Sequence, residues 1–173
     1  DSIKKTTDKY IQSNVNYSKF TASNYDMHKS LNLAFMYKIT GETKYAGNIT
    51  IPETVENAGV VYTVYGIGSS AFYECPMLQS VDIPNSVTSL GSDAFYNCNA
   101  LTKITFAGEI GQSLDMSACP LNRESIESII GCLSTTASGK TLTLKKTAKE
   151  AAFTAEEWAT LTATKTNWTI SLV

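Results

Sequence analysis

Ile67-Gly68-Ser69-Ser70-Ala71-Phe72-Tyr73-Glu74-Cys75-Pro76-Met77-Leu78-Gln79-Ser80-Val81-Asp82-Ile83 reads onto Leu90-Gly91-Ser92-Asp93-Ala94-Phe95-Tyr96-Asn97-Cys98-Asn99-Ala100-Leu101-Thr102-Lys103-Ile104-Thr105-Phe106, with Gly, Ser, Ala, Phe, Tyr, Cys and Leu at identical offsets and a period of 23 residues. Self-similarity at such a period marks an array of supersecondary units, each with an apolar face that only its neighbours can bury. Residues one period apart then stack in ladders. Leu78, Val81 and Ile83 should point inward onto Leu101, Ile104 and Phe106, with Phe72 on Phe95 and Cys75 on Cys98. Strands of successive units should run in parallel, about 4.8 Å apart.

A stretched copy precedes these two. Ile51-Pro52-Glu53-Thr54-Val55 matches Ile83-Pro84-Asn85-Ser86-Val87 at a separation of 32 residues, so Glu56–Val64 is an insertion of nine. Gly68 and Gly91 are expected at a tight bend that needs a permissive backbone. Pro52 and Pro84 follow their strands, where a missing amide donor ends the ladder. After the second full copy the repeat degenerates, but Leu114–Met116, Leu142–Leu144 and Trp168–Leu172 remain strand-like.

The last third adds helices. Asn122 reads as an N-cap, with Ile126, Ile129, Ile130 and Leu133 at helical spacing behind it. Thr154-Ala155-Glu156-Glu157 is a capping box that opens a second helix carrying Trp158 and Leu161. Strand, helix, strand, helix, strand from 114 to 172 predicts larger, helix-bearing coils that finish the same sheet, with right-handed connections. The fold class expected is α/β, a right-handed solenoid of stacked parallel strands over residues 37–173. Residues 1–36 show no repeat. They hold possible strands around Tyr17–Ala22 and Leu31–Ile39, and are expected to cap the first coil.

Composition narrows function. The 173 residues are 43% hydrophobic and 17% charged, with a formal net charge of −2. Fourteen Lys and Arg are scattered, which leaves no electrostatic footprint for nucleic acid. The densest basic cluster, Lys145-Lys146 with Lys149, is answered by Glu150 and reads as a solvated loop. No apolar run approaches a membrane span, so no membrane insertion is expected. The chain begins at Asp1 with neither methionine nor a signal-peptide pattern, as a processed or trimmed product would.

The pattern Ile-Gly-x-x-Ala-Phe-x-x-Cys-x-x-Leu-x-x-Val-x-Ile-Pro-x-Ser-Val over Ile67–Val87 resembles the BspA-like leucine-rich repeat. Leu114-Asp115-Met116-Ser117-Ala118-Cys119-Pro120-Leu121-Asn122-Arg123-Glu124-Ser125 is similar to the ending of related surface proteins of host-associated anaerobic bacteria. The resemblance covers roughly residues 37–173. It implies a secreted or surface-displayed protein, whose relatives include adhesins for host proteins or other microbes. It brings no shared catalytic residues and no single ligand.

Catalytic chemistry finds little footing. Cys75, Cys98, Cys119 and Cys132 form no Cys-x-x-Cys pair, and the single histidine, His28, lies outside the repeats, so neither a metal site nor a cofactor is expected. Stacked coils would bring Cys75 and Cys98 near disulfide distance, but ladder neighbours project side by side, so small buried thiols filling a repeat position are favoured over a bond between them. Hydrolysis of a glycan would need a carboxylate pair. Asp82 and Asp115, if on one face, would lie on the order of 10 Å apart and open to water.

The same row carries the binding hypothesis. Thr50, Asp82, Thr105, Asp115 and Thr143, with Ser171 and Lys103, should form one polar, lightly acidic stripe. Its partner would be a host or microbial surface protein or glycan. Tyr73 and Tyr96, stacked on another edge, are a second candidate, or simply cover the Phe72/Phe95 ladder. A structural spacer in a larger surface protein and a glycan-active enzyme are the alternatives. Asp82 is expected to face solvent, so that changing it should leave stability nearly untouched.

Overall fold

Where the sequence repeats, the backbone repeats. The structure is a computed structural model and describes residues 25–28, 33–36, 44–91 and 93–173. In chain order its strands are β1 (Tyr25–His28), β2 (Leu33–Met36), β3 (Ala46–Thr50), β4 (Thr54–Asn57), β5 (Val60–Ile67), β6 (Met77–Ile83), β7 (Ser89–Leu90), β8 (Lys103–Phe106) and β9 (Leu114–Met116). Helix α1 (Arg123–Cys132), β10 (Lys140–Leu144), α2 (Lys146–Ala152), α3 (Ala155–Thr162) and β11 (Trp168–Leu172) follow. The strand expected at Tyr17–Ala22 lies outside the described residues. Of Leu31–Ile39, the part Leu33–Met36 is β2.

Strands β3, β6 and β8 pair in parallel, with Ile49↔Val81↔Ile104 and Thr50↔Asp82↔Thr105 in register. Leu78, Val81, Leu101 and Ile104 are fully buried, and Ile83 and Phe106 nearly so. The Phe72 and Phe95 rings stack with centroids 5.3 Å apart and planes within 6°. Tyr45 adds a third ring, 4.8 Å from Phe72. All four cysteines are free thiols, and all but the half-buried Cys132 are fully buried. The Cys98 thiol donates to the Phe72 carbonyl at 3.1 Å and so helps pin its repeat to the one before.

The insertion Glu56–Val64 is a hairpin. β4 and β5 are antiparallel around Ala58 and Gly59, whose φ angles of 52° and 78° are the pair a type I′ turn demands. On its other side β5 pairs in parallel with β2, which brings β1 and β2 into the same sheet.

The bend of each repeat differs from expectation. Neither Gly68 nor Gly91 has a positive φ. Gly91 is required by close approach instead, because a Cβ there would overlap the Ser69 backbone. The left-handed positions are Ser70 and Asp93 (φ 58° and 55°), then Glu74 and Asn97 (54° and 57°), each pair one period apart. Asp and Asn tolerate that region better than Ser and Glu.

The third repeat turns from strand to helix midway, which corrects two expectations. The Cys119 thiol donates to the Phe95 carbonyl (3.6 Å) as Cys98 does to Phe72. The Cys119 amide bonds the Met116 carbonyl as the Cys98 amide bonds Phe95, and Leu121 bonds Cys119 as Leu101 bonds Cys98. Met116 therefore stands in the Phe ladder, and β9 is not the next copy of β6 and β8. Where that copy should begin, the Asn122 amide bonds the Thr102 carbonyl and α1 starts. Asn122 is its N-cap, accepting the Ser125 amide. Ser125 Oγ then accepts the Ile104 amide (2.9 Å) and Ser128 Oγ the Phe106 amide (3.2 Å), so a helix takes the bonds a fourth strand would have taken.

The helix-bearing coils consequently build a separate sheet. β9, β10 and β11 pair in parallel, with Leu114↔Leu142↔Ile170 and Met116↔Leu144↔Leu172 in register. The cluster expected as a solvated loop is helix α2, where Lys146 and Glu150 pair at 3.9 Å on a run rich in good helix formers. The capping box at Thr154 and Glu157 forms as expected. Arg123 ties the helices together. Its guanidinium reaches Glu127 (2.8 Å), Glu157 (3.0 Å) and the Ala152 carbonyl, and lies 4.6 Å from the Phe153 ring centroid. Buried Lys165 donates to the Leu133 carbonyl at 2.7 Å, at the negative end of α1.

Two stability changes follow from this packing. Phe95→Ala should open a cavity in the ladder and cost about 3–5 kcal/mol in urea unfolding. Glu74→Asn, which copies Asn97 into the equivalent left-handed position, should stabilise by about 0.5–1 kcal/mol. An unchanged midpoint for Phe95→Ala, or a lowered one for Glu74→Asn, would contradict the ladder and its turn geometry respectively.

Candidate functional site

Alternation along β3, β6 and β8 sends every second side chain outward from a buried row. Two polar rows result. Asn48, Ser80 and Lys103 are in register, as are Thr50, Asp82 and Thr105. Ser80 Oγ donates to Asn48 Oδ1 at 2.8 Å. Thr50 Oγ1 donates to Asp82 Oδ2 (3.3 Å) and Thr105 Oγ1 to Asp82 Oδ1 (2.6 Å), so the two carboxylate oxygens are each met by a threonine hydroxyl from a flanking strand. Asp82 is half-buried and fixed, not the free solvent-facing group expected from alternation alone. The Lys103 ammonium lies 4.0 Å from Glu124 on α1, with both side chains largely exposed.

Asp115 and Thr143 do not belong to this face. They are in register with each other and with Ser171 in the β9–β10–β11 sheet. The expected single stripe is thus two stripes on two sheets, because β9 occupies the Phe-ladder position of its repeat and α1 occupies the strand position. Asp115 Oδ1 accepts the Ser117 amide at 2.8 Å, a local turn bond. Asp82 and Asp115 accordingly share no strand face, and the carboxylate pair considered for hydrolysis does not assemble.

Tyr73 and Tyr96 stack as expected, with centroids 5.2 Å apart and planes within 15°. Tyr96 is 38% exposed. The negative charge of Glu74 beside it, then burial, holds the Tyr73 phenol above its usual range. Burial pushes the Cys98 thiol well up and the Cys119 thiol up to about 12, so both are protonated donors at neutral pH. Among the described residues no group of three or more His, Cys, Asp or Glu is placed to hold a metal ion.

Sequence reasoning passed over Asn48 and Ser80, although the offset that selects Lys103, one before the buried Ile104, selects both. The repeat that supplies these ladders also decides the family. A model of the BspA type leucine rich repeat region matches residues 43–130 in six copies. The chain belongs to that family. Solved structures similar to this BspA-type chain include a leucine-rich repeat protein from Bacteroides ovatus, at 21% identity and a TM-score of 0.49, covering 71% of this chain and 36% of that one. A leucine rich cell surface protein from Faecalibacterium prausnitzii matches at 24% identity and 0.49, covering 93% and 44%. A leucine-rich repeat protein from Bacteroides capillosus matches at 18% and 0.43, covering 90% and 99%. The BspA-type chain thus spans less than half the length of the first two. No curated protein matches it.

Asp82→Ala should cost about 1–2 kcal/mol in urea unfolding, since two hydroxyls lose a charged acceptor on a half-buried surface. A loss within experimental error would show that the two threonine bonds contribute nothing.

Proposed function

We propose that this chain is a non-catalytic binding module at or beyond the cell surface, taking a host or microbial surface protein or glycan on the β3–β6–β8 face. The observation that carries the reading is the six-residue polar grid, held in register across three strands over a fully buried apolar row. Membership of the BspA-type family supports the surface placement, and no helix among the described residues is long and apolar enough to cross a membrane. In this reading the repeats wind as a right-handed solenoid whose first turn is capped by residues 1–36. The pairing of β2 beside β5 supports such a cap. Open, lightly charged surfaces of stacked repeats are well suited to extended partners.

The purified chain should bind at least one component of an array of extracellular-matrix proteins and glycans, and a variant carrying Asp82→Arg and Thr105→Arg should lose that binding. Binding that survives the double variant would move the site to Tyr73 and Tyr96. No binding at all would favour a spacer in a larger surface protein.

A further inference from the structure

Hydrogen-bond directions on the strand face set what can dock there. The protons of Thr50 and Thr105 point to Asp82, so that row offers outward acceptors and one negative charge. In the other row Ser80 gives its proton to the Asn48 carbonyl oxygen, which leaves the Asn48 amide as a donor at one end, the Lys103 ammonium at the other and the Ser80 oxygen as an acceptor between them. The face therefore carries a cation and alternating donor and acceptor groups in one row, and an anion among acceptors in the other. The rows are two residues apart along the strands, or about 6.6 Å.

That spacing is the distance between residues i and i+2 of an extended chain. We propose, on the reading that this face is the binding site, that its occupant is an extended polypeptide segment laid along β6. The segment carries a carboxylate over Ser80, from where it reaches Lys103 on the neighbouring strand, and a lysine or arginine two residues away over Asp82. Charge complementarity selects this occupant. The grid contains no aromatic ring on which a sugar could stack, whereas its alternating donors and acceptors suit peptide groups and short polar side chains. Glu124 is the competitor for Lys103, and an ion pair 4.0 Å long between two exposed side chains yields readily to a better-placed carboxylate.

The test uses the full chain against surface-immobilised octapeptides of threonine bearing two charges. Glu-x-Lys and Lys-x-Glu peptides are compared with Glu-x-Glu, Lys-x-Lys and uncharged threonine peptides. Wild-type protein should prefer a mixed-charge peptide by about fivefold at low salt, and lose the preference as salt rises. Asp82→Lys should move the preference to Glu-x-Glu, and Lys103→Glu should move it to Lys-x-Lys. These gains cannot come from misfolding. Equal binding of all peptides by wild type, or variants that do not switch, overturns the proposal. If array partners are still lost in the Asp82→Arg, Thr105→Arg variant while the peptides fail, the face binds something else, a glycan included. If the array partners survive that variant, the face itself is the wrong site.

Discussion

The rest of the structure hangs on how strand β8 ends its sheet. An edge strand presents a row of unsatisfied amides and carbonyls that would accept another chain. Here the amides of Ile104 and Phe106 meet the hydroxyls of Ser125 and Ser128, each of which precedes a buried isoleucine of α1, Ile126 and Ile129. Ser125 is itself fully buried and satisfied, because its hydroxyl also lies 2.7 Å from the Asn122 side chain. Leaving either amide unbonded would cost about 1–3 kcal/mol. The helix thus limits the polar face to three strands, and obliges the remaining repeats to pair elsewhere.

That constraint explains why the two halves differ while remaining one array. In the first half the two full repeats are joined through a short strand, a stacked ring and the Cys98 thiol-to-carbonyl bond. In the second half the connections lengthen to hold helices, and the strands pair 28 residues apart, as Leu114, Leu142 and Ile170 do. Arg123 and Lys165 then tie the helices to what precedes them. Each unit rests on its neighbours, so the face on β3, β6 and β8 is held in register by the strands themselves.

Much of this was legible in the residues. The 23-residue period of the two full copies gives the inward ladder, the ring stack, the buried thiols and the alternation that places Asp82 outward. Both helix caps followed from Asn122 and Thr154. The failures have physical causes. Between Cys119 and Leu121 the third repeat is one residue shorter than Cys98–Leu101, and Met116 replaces Phe, so the eye takes Leu114–Met116 for a copy of the wrong segment. Lysines conceal α2 because charge patterning says where a helix is solvated, not whether it forms. No sequence rule on alternation reports that a carboxylate's flanking strands carry threonines close enough to claim both of its oxygens.

Amide hydrogen exchange, followed residue by residue, tests the three-strand limit most directly. The account predicts that Ile104 and Phe106 are protected as strongly as the amides between β6 and β8, and that Ser125→Ala exposes Ile104 while leaving Val81 protected. Rapid exchange at Ile104 and Phe106 in the unaltered protein would mean that β8 is an open edge, and that α1 does not end the sheet.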